Sequence, residues 1–410
     1  GSSGPAPDLD PTFVALPYRS LGDAALSRAQ DLGASHADFR FERVRYQDLG
    51  VRDGVLQGAS DREDLGFAVR VIHRGSWGFA SGVILTAEEA VRVAETAVAV
   101  AQVAAEMTST PVEIAPEPVY DDVTWISSYV TNPLDVPVAE KAALLIDWTN
   151  RLRTGAAVDH ASAYLEQVQE NKYYADLAGT RTTQQRVRLA PGFEAMGAGA
   201  DTFDSMTTTA PPVGRGWEFL TTRAADGGWD WDEEIDEVPE LLAEKLKAPS
   251  IEAGSYDLVI HPSNLWLTIH ESIGHATELD RALGYEAAYA GTSFATFDQL
   301  GTLQYGSPAL HVTGDRTVEH GLATVAIDSE GVAAQSFDWI RDGVLVGYQL
   351  DRSIAASMHL GRSNGCAFAD SSLHVPIQRM ANVSLASSGD EGPTTSELID
   401  GVERGIYIVG

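Results

Sequence analysis

The stretch GFAVRVIHRGSWGFASGVILTAEEAVRVAETAVAVAQVAAEM, residues 66–107, decides the fold class. Gly66 to His73 alternates well enough to be a strand, and Trp77 to Ser81 reads as another. Thr86 to Met107 is the clearest helix in the chain. Thr86 can cap it, and Glu89 completes a capping box. Alanine and valine make this helix apolar on most faces, so it is expected to lie buried against the sheet. Upstream, Ala25, Leu26, Ala29 and Leu32 recur at helical spacing over Leu21 to Leu32, and Gly33 supplies a stop. Phe39, Phe41, Val44 and Tyr46 read as a strand with a bulge between the two pairs. Asp53-Gly54 marks a turn. Residues 20–107 therefore read α-β-β-β-α, an α+β unit with antiparallel pairing.

A chain of 410 residues suggests more than one domain. Residues 1–19 read as a cloning scar (GSSG) followed by a Pro-rich arm. Residues 20–115 form an N-terminal α+β domain. A middle α+β segment spans 120–225, with a helix from Val138 to Leu152 and strand pieces at Tyr173 to Leu177 and Arg186 to Leu189. Residues 226–253 read as a linker, because DGGWDWDEEIDE (226–237) mixes glycine, acid and tryptophan; a short helix over Pro239 to Lys247 follows. The last domain, 254–410, opens with the strand YDLVIH and a helix from Asn264. From Leu310 it reads as β-rich, with a tight turn at Asp342-Gly343.

The net charge is −31. Such a surface repels nucleic acid and anionic membranes. Cys366 is the single cysteine, so an internal disulfide framework is excluded. No apolar run approaches a membrane span, and a cytoplasmic location is the default expectation. No glycine-rich phosphate loop stands between a strand and a helix.

The run HESIGH, residues 270–275, carries the chemistry. Two neutral imidazoles can hold zinc, which lowers the pKa of water to about 7, and a neighbouring carboxylate can take the proton. In the familiar HExxH pattern the histidines stand four apart and share a helix face. Here His270 and His275 are five apart, a rotation of about 140° on a regular helix. The pair converges only on a distorted helix, and a π-type turn with i→i+5 bonding would align it. Gly274, lacking a Cβ, is expected to ease that distortion.

The run LTIHESIGHATELDRALGYEAAYAGTSFAT resembles the TldD branch of the TldD/PmbA peptidases. So do GFAVRVIHRGSWGFAS, AIDSEGVAAQSFDWIRDGVLVGYQLDRSIAA and GRSNGCAFADSSLHVPIQRMANVSL, the last ending near GIYIVG. The resemblance covers nearly the whole chain, in order. It implies an α+β N-terminal portion with an antiparallel sheet and a β-rich C-terminal portion carrying the metal helix. It assigns His270 and His275 as zinc ligands and Glu271 as the general base. Glu278 matches a further acidic position, as outer support for a histidine or as a plain helix-surface glutamate.

The implied function is a zinc-dependent peptidase subunit, with one zinc per active subunit. It would hydrolyse unstructured peptides or small unfolded proteins through a metal-activated water. An extended peptide is expected to add to a sheet edge near the metal; the sequence does not name its binding residues. The implied partner is a TldE/PmbA-like subunit, or a second copy in a homodimer, with no role for nucleic acid or membrane. The alternative is a non-catalytic peptide-binding or scaffolding subunit of a TldD/TldE-type complex. The resemblance places the third zinc ligand, a cysteine, beyond residue 410. The C-terminal domain is thus expected to be incomplete as it stands, and a form without that cysteine to be inactive. Cys366 does not match that position and reads as a partly buried small residue, with His374 and Asp280 weaker ligand candidates. His261, His311, His320 and His359 read as ordinary histidines, and Tyr285 and Tyr289 as packing residues rather than oxyanion donors.

Overall fold

A computed structural model of the chain describes residues 7–199, 202–386 and 392–410. The GSSG reading lies outside the described residues. The arm is anchored from Asp10 onward. Asp10 accepts from Arg43 at 2.5 Å, and Phe13, on α1 (Pro11–Val14), is buried and stacked on Tyr18. α2 (Tyr18–Asp31) leads into β1 (His36–Arg52), β2 (Val55–His73) and β3 (Ser76–Gly82), and α3 (Ala87–Ala105) closes the unit. Thr86 caps α3 through the Glu89 N–H, but the reciprocal half of the capping box is not made: the Glu89 carboxylate is held by Arg92. The bulge expected between Phe41 and Val44 is also absent. β1 and β2 pair in register from His36 to Gly50, and the only shift falls at Gly50/Val51.

β4 (Val123–Ile126), α4 (Val138–Leu152), β5 (His160–Asp176), β6 (Arg181–Ala198) and β7 (Phe203–Thr207) follow. Their strands join those of the first unit in one sheet, ordered β3-β2-β1-β5-β6-β4 with β7 beside β6. The β1–β5 pairing, antiparallel from Asp38 to Arg52, links the segments read as 20–115 and 120–225. α5 (Glu218–Thr221) is a single turn. Within the stretch read as a linker, the helix expected over Pro239 to Lys247 begins earlier, as α6 (Trp231–Lys245), with Pro239 inside it. Trp231, Ile235, Val238 and Leu242 are buried in a core with Trp148, Phe193 and Phe219. Apart from Glu234, whose carboxylate accepts from Thr208, Thr209 and Trp229, the acidic residues of this helix are exposed, so composition concealed an amphipathic helix.

The long strands are buried on both faces over one half of their length, Ala37 to Val44 of β1, Gly66 to His73 of β2 and Gln169 to Asp176 of β5. Along β1 the odd positions Ala37, Phe39 and Phe41 pack with Phe67, Val69 and Val71 against α2 and α3. α3 sits so close that a Cβ on Gly78 would lie 1.9 Å from Ala97 O. The even positions Asp38, Arg40 and Glu42 are charged and equally buried. They face residues of the C-terminal region. Arg70 donates to Asp38 at 2.7 Å and to Glu330 at 2.7 Å. Lys172 reaches Glu42 and Ser329, both at 3.1 Å, and Arg40 donates to His374 O at 2.6 Å. Burial alone would raise Asp38, but Arg70 and His36 outweigh it and hold its pKa at about 2.

The C-terminal region begins with β8 (Asp257–Ile260) and α7 (Pro262–Ile269), then the short α8 (Leu279–Ala282). Its strands are short: β9 (Val312–Asp315), β10 (Ser336–Arg341) and β11 (Val344–Leu345), with the predicted turn at Asp342-Gly343. α9 (Arg352–Ser357), β12 (Ala367–Phe368), β13 (Ile377–Gln378), β14 (Asn382–Leu385), α10 (Thr395–Asp400) and β15 (Gly405–Ile408) complete the described chain. β11-β10-β9-β14 form one antiparallel sheet, and β15 pairs parallel with β8.

Removing one member of a buried charge network strands its partners. Arg70→Ala should therefore cost about 3–5 kcal/mol of stability, measured by urea unfolding. A loss below about 1 kcal/mol would show that Asp38 and Glu330 do not depend on it.

Candidate functional site

β8 delivers the chain to α7. The His261 ring caps this helix, its Nδ1 accepting the Ser263 N–H at 3.2 Å. Pro262 fills the first helical position, where a missing N–H costs nothing. After Ile269 the helix widens. His270–Gly274 form a turn of π-helix closed by the His275 N–H on His270 O. This is the distortion that the five-residue spacing demands. It brings the two imidazoles together, with ring centroids 4.6 Å apart and planes at 86°. Donor atoms of His270, Glu271 and His275 all lie within 4.8 Å of one another.

A widened turn leaves carbonyls without their usual partners. Here side chains supply them. Gln349 Nε2 donates to Gly274 O at 2.7 Å, and Thr277 Oγ1 donates to Ile273 O at 2.9 Å. The Tyr305 hydroxyl donates to Ser272 O. Gly274 itself has ordinary helical angles, φ −54° and ψ −58°. Its need is space rather than freedom: a Cβ there would lie 2.4 Å from Met380 Sδ.

His275 is oriented from behind. Its Nδ1 stands 2.8 Å from Glu278 Oε2, on a carboxylate 1% exposed that also takes Arg281 at 3.1 Å. A carboxylate there favours the Nδ1–H tautomer and leaves the Nε2 lone pair free for a metal. Glu278 is thus no surface residue. Burial and the neighbouring His275 push His270 below its ordinary pKa, toward the neutral form that metals bind. Glu271 stays exposed beside the pair. Two neutral imidazoles, a carboxylate behind one of them and an open face suit zinc.

Comparison with known proteins bears on the same residues. The profile for the PmbA/TldA metallopeptidase C-terminal domain matches residues 253–410, and that for PmbA/TldA metallopeptidase domain 1 matches 37–101. The chain belongs to the PmbA/TldD metallopeptidase family. A metalloprotease of Methanothermobacter thermautotrophicus is 26% identical, over 92% of this chain and 76% of that protein. A zinc metalloprotease TldD homolog of Saccharolobus solfataricus is 23% identical, over 94% and 79%. Among solved structures, a candidate modulator of a DNA gyrase from Thermotoga maritima superposes with a TM-score of 0.75 at 16% identity, covering 96% of this chain and 82% of the other. TldE from Thermococcus kodakarensis gives 0.68 at 14%, covering 95% and 82%. These structures share the mixed α/β fold with antiparallel sheets.

The remaining histidines and acids of this PmbA/TldD chain lie elsewhere. Among the described residues, His270, Glu271 and His275 are the only group of three possible ligands that meets. Cys366 is fully buried, and burial pushes its thiol up to about 12, so it is poorly suited to ligation. His374 pairs with Asp370 at 2.6 Å, and His311 with Asp338 at 3.2 Å. His320 contacts Gly214 O at 3.1 Å. His359 lies at the rim of a cavity that Asp280 and Tyr285 also line. Tyr285 and Tyr289 are largely exposed. Among the described residues no helix is long and apolar enough to cross a membrane.

Gln349, Thr277, Tyr305 and Arg281 support the site yet carry no sequence signal of their own. Gln349 also accepts the Ala381 N–H at 2.9 Å through Oε1. Gln349→Ala should cost about 1–3 kcal/mol for each group left bare, measured by urea unfolding. Burial raises Asp280 from 3.8 to about 7. Between those values the unfolded chain ionises and the folded one stays protonated. Stability from this group is therefore complete below about pH 4 and lost by about pH 7. Asp280→Asn should flatten the fall in Tm across that window; an unchanged slope would remove Asp280 from the account.

Proposed function

We propose that this chain is the metal-bearing, TldD-type subunit of a zinc peptidase that cleaves unstructured peptides or small unfolded proteins. The observation that carries the reading is the π turn, which sets His270 and His275 side by side with Glu278 behind His275. His270 and His275 would hold the metal. Bound zinc supplies Lewis acidity, polarising a scissile carbonyl and acidifying water to a pKa near 7.

The chain's own groups do the rest. Glu271, 62% exposed and beside the imidazoles, is the general base. It accepts the proton of the attacking water and returns it to the leaving amide nitrogen. Glu278, fixed by Arg281, holds the His275 tautomer so that Nε2 stays available. The family resemblance assigns a third ligand to a cysteine. It also supplies a TldE/PmbA-like partner as the subunit with which this one works, with a homodimer as the other arrangement.

Metal analysis tests the reading. About one zinc per chain is expected by the coordination chemistry of a single His pair, and His270→Ala should abolish it. Glu278→Gln should weaken zinc binding by about 10–100-fold. Glu271→Gln should retain the metal and lose cleavage of an unstructured peptide. Full-length protein that binds no zinc would overturn the proposal, and cleavage surviving Glu271→Gln would remove that residue as the base.

A further inference from the structure

Arg379 stands beside the metal turn with its charge unused. Among the described residues no carboxylate pairs with its guanidinium and no acceptor takes its side-chain N–H groups, whereas Arg281, Arg341 and Arg362 hold Glu278, Asp338 and Glu117. Partners are not scarce, with 59 acids in the chain against 28 lysines and arginines. The residue is only partly exposed.

Its backbone is tied to the turn. The Arg379 N–H donates to Cys366 O at 2.8 Å, and the Ala381 N–H donates to Gln349 Oε1 at 2.9 Å. Gln349 Nε2 holds Gly274 O at 2.7 Å, so one side chain clamps both segments. Between these anchors Met380 fills the space over Gly274, where a Cβ would lie 2.4 Å from its Sδ. Met380 also packs in the core that holds Ile269 and Ile273, the neighbours of His270 along the helix. Burial and His275 do most to push His270 below its ordinary pKa, and Arg379 adds to them, so the guanidinium stands within electrostatic reach of that imidazole.

A cation at this place is unfavourable on its own account. It faces two imidazoles suited to a divalent metal, and like charges repel. The acids of the turn do not offset it: Glu271 lies 3.9 Å from His270 Nε2, and Glu278 is taken by His275 and Arg281. An anion that arises only during reaction removes the conflict. When water attacks a scissile carbonyl, an O–C bond forms and the π pair moves onto the carbonyl oxygen. That oxygen keeps the negative charge until the C–N bond breaks and Glu271 returns the proton to nitrogen. A guanidinium offers five N–H donors in a fixed fork, set in advance to meet such charge.

We infer that Arg379 is a catalytic residue whose guanidinium receives the oxyanion formed from the scissile carbonyl. The inference deepens the peptidase reading and rests on it.

Binding of inert analogues separates the two. Full-length, zinc-loaded protein is titrated with two labelled peptides that resist cleavage, alike except that one carries an anionic phosphinate and the other a neutral ketomethylene in place of the scissile amide. Anisotropy reads the two Kd values. The phosphinate peptide should bind tighter, and Arg379→Ala should cut that preference about tenfold or more, the range of a charge-assisted contact. In cleavage, kcat should fall about 10²–10³-fold with KM little changed, and Arg379→Lys should regain part of the loss. Zinc content and Tm should not fall in either variant, as they would if Arg379 only supported the fold. On the unmutated protein, phenylglyoxal should modify Arg379 and the phosphinate peptide should protect it, a readout that needs no variant to fold. A phosphinate preference unchanged in Arg379→Ala overturns the inference, and so does modification that the phosphinate leaves unprotected. A loss confined to KM and relieved by amidating the peptide's C-terminus overturns it too, since the guanidinium then holds the chain end. Arg379-dependent phosphinate binding in a protein that cleaves no peptide would support the anion contact and sink the peptidase reading. Cleavage at full rate in Arg379→Ala would do the reverse.

Discussion

The structure depends on a charged seam between the long sheet and the C-terminal region. Arg40, Glu42, Asp38, Arg70, Glu170, Lys172 and Arg186 stand on one face of the sheet and are almost wholly buried. Charges so placed lose their hydration, and only close pairing compensates. Arg186 grips Glu170 at 2.9 Å, and Arg186, Lys172 and Arg188 hold that acid well below the usual carboxylate range despite its burial. Backbone groups are satisfied across the seam as well. Gln184 donates to Ile327 O at 2.8 Å and accepts the N–H groups of Ala326 and Ile327 at 2.9 and 3.0 Å. An apolar interface would tolerate sliding; a seam of directed bonds fixes one register.

That fixed register matters because the metal turn is not self-sufficient. A π turn is rare because its bonding is poorer than that of an α-helix. It persists here because Gln349, Thr277 and Tyr305 hold its carbonyls, while Ile273 is packed into a core with Trp339, Ile340 and Cys366. Cys366 thus fills space in the core beneath the turn. The widened turn is maintained by its surroundings, although its residues keep helical dihedral angles.

How much of this was legible in the sequence follows from where each signal lies. HESIGH was legible, and so was its distortion, because five-residue spacing and helical pitch are both local. The helices over Thr86 to Met107 and Val138 to Leu152 were legible from periodicity. The seam was not. Asp38, Arg40 and Glu42 alternate with Phe39 and Phe41 as a strand with one wet face would, and nothing local shows that the polar face is covered. The first half of α6 was lost for the opposite reason: the acids of 232–237 masked the apolar spacing of Trp231, Ile235 and Val238, and only the part from Pro239 onward reads as a helix. Gln349 was beyond reach, because its role is to bond a backbone carbonyl 75 residues away.

The seam and the metal turn are joined by four residues. Gln349 reaches Gly274 O, and its own carbonyl accepts the Leu279 N–H at 3.4 Å. Two residues on, Asp351 caps α9, and the Arg352 N–H donates to Glu330 Oε2 at 2.8 Å. Glu330 is the acid that Arg70 holds from the sheet. One carboxylate therefore ties the sheet to the segment that ties the turn. The Arg352 guanidinium adds a bond to Ala115 O at 2.9 Å, on the connection that follows α3. Displacement of Glu330 frees residues 349–352 on one side only, and the carbonyl of Gly274 lies at the other end of that short lever. Arg70, distant in sequence, is thereby linked through Glu330 and residues 349–352 to the turn that carries His270 and His275.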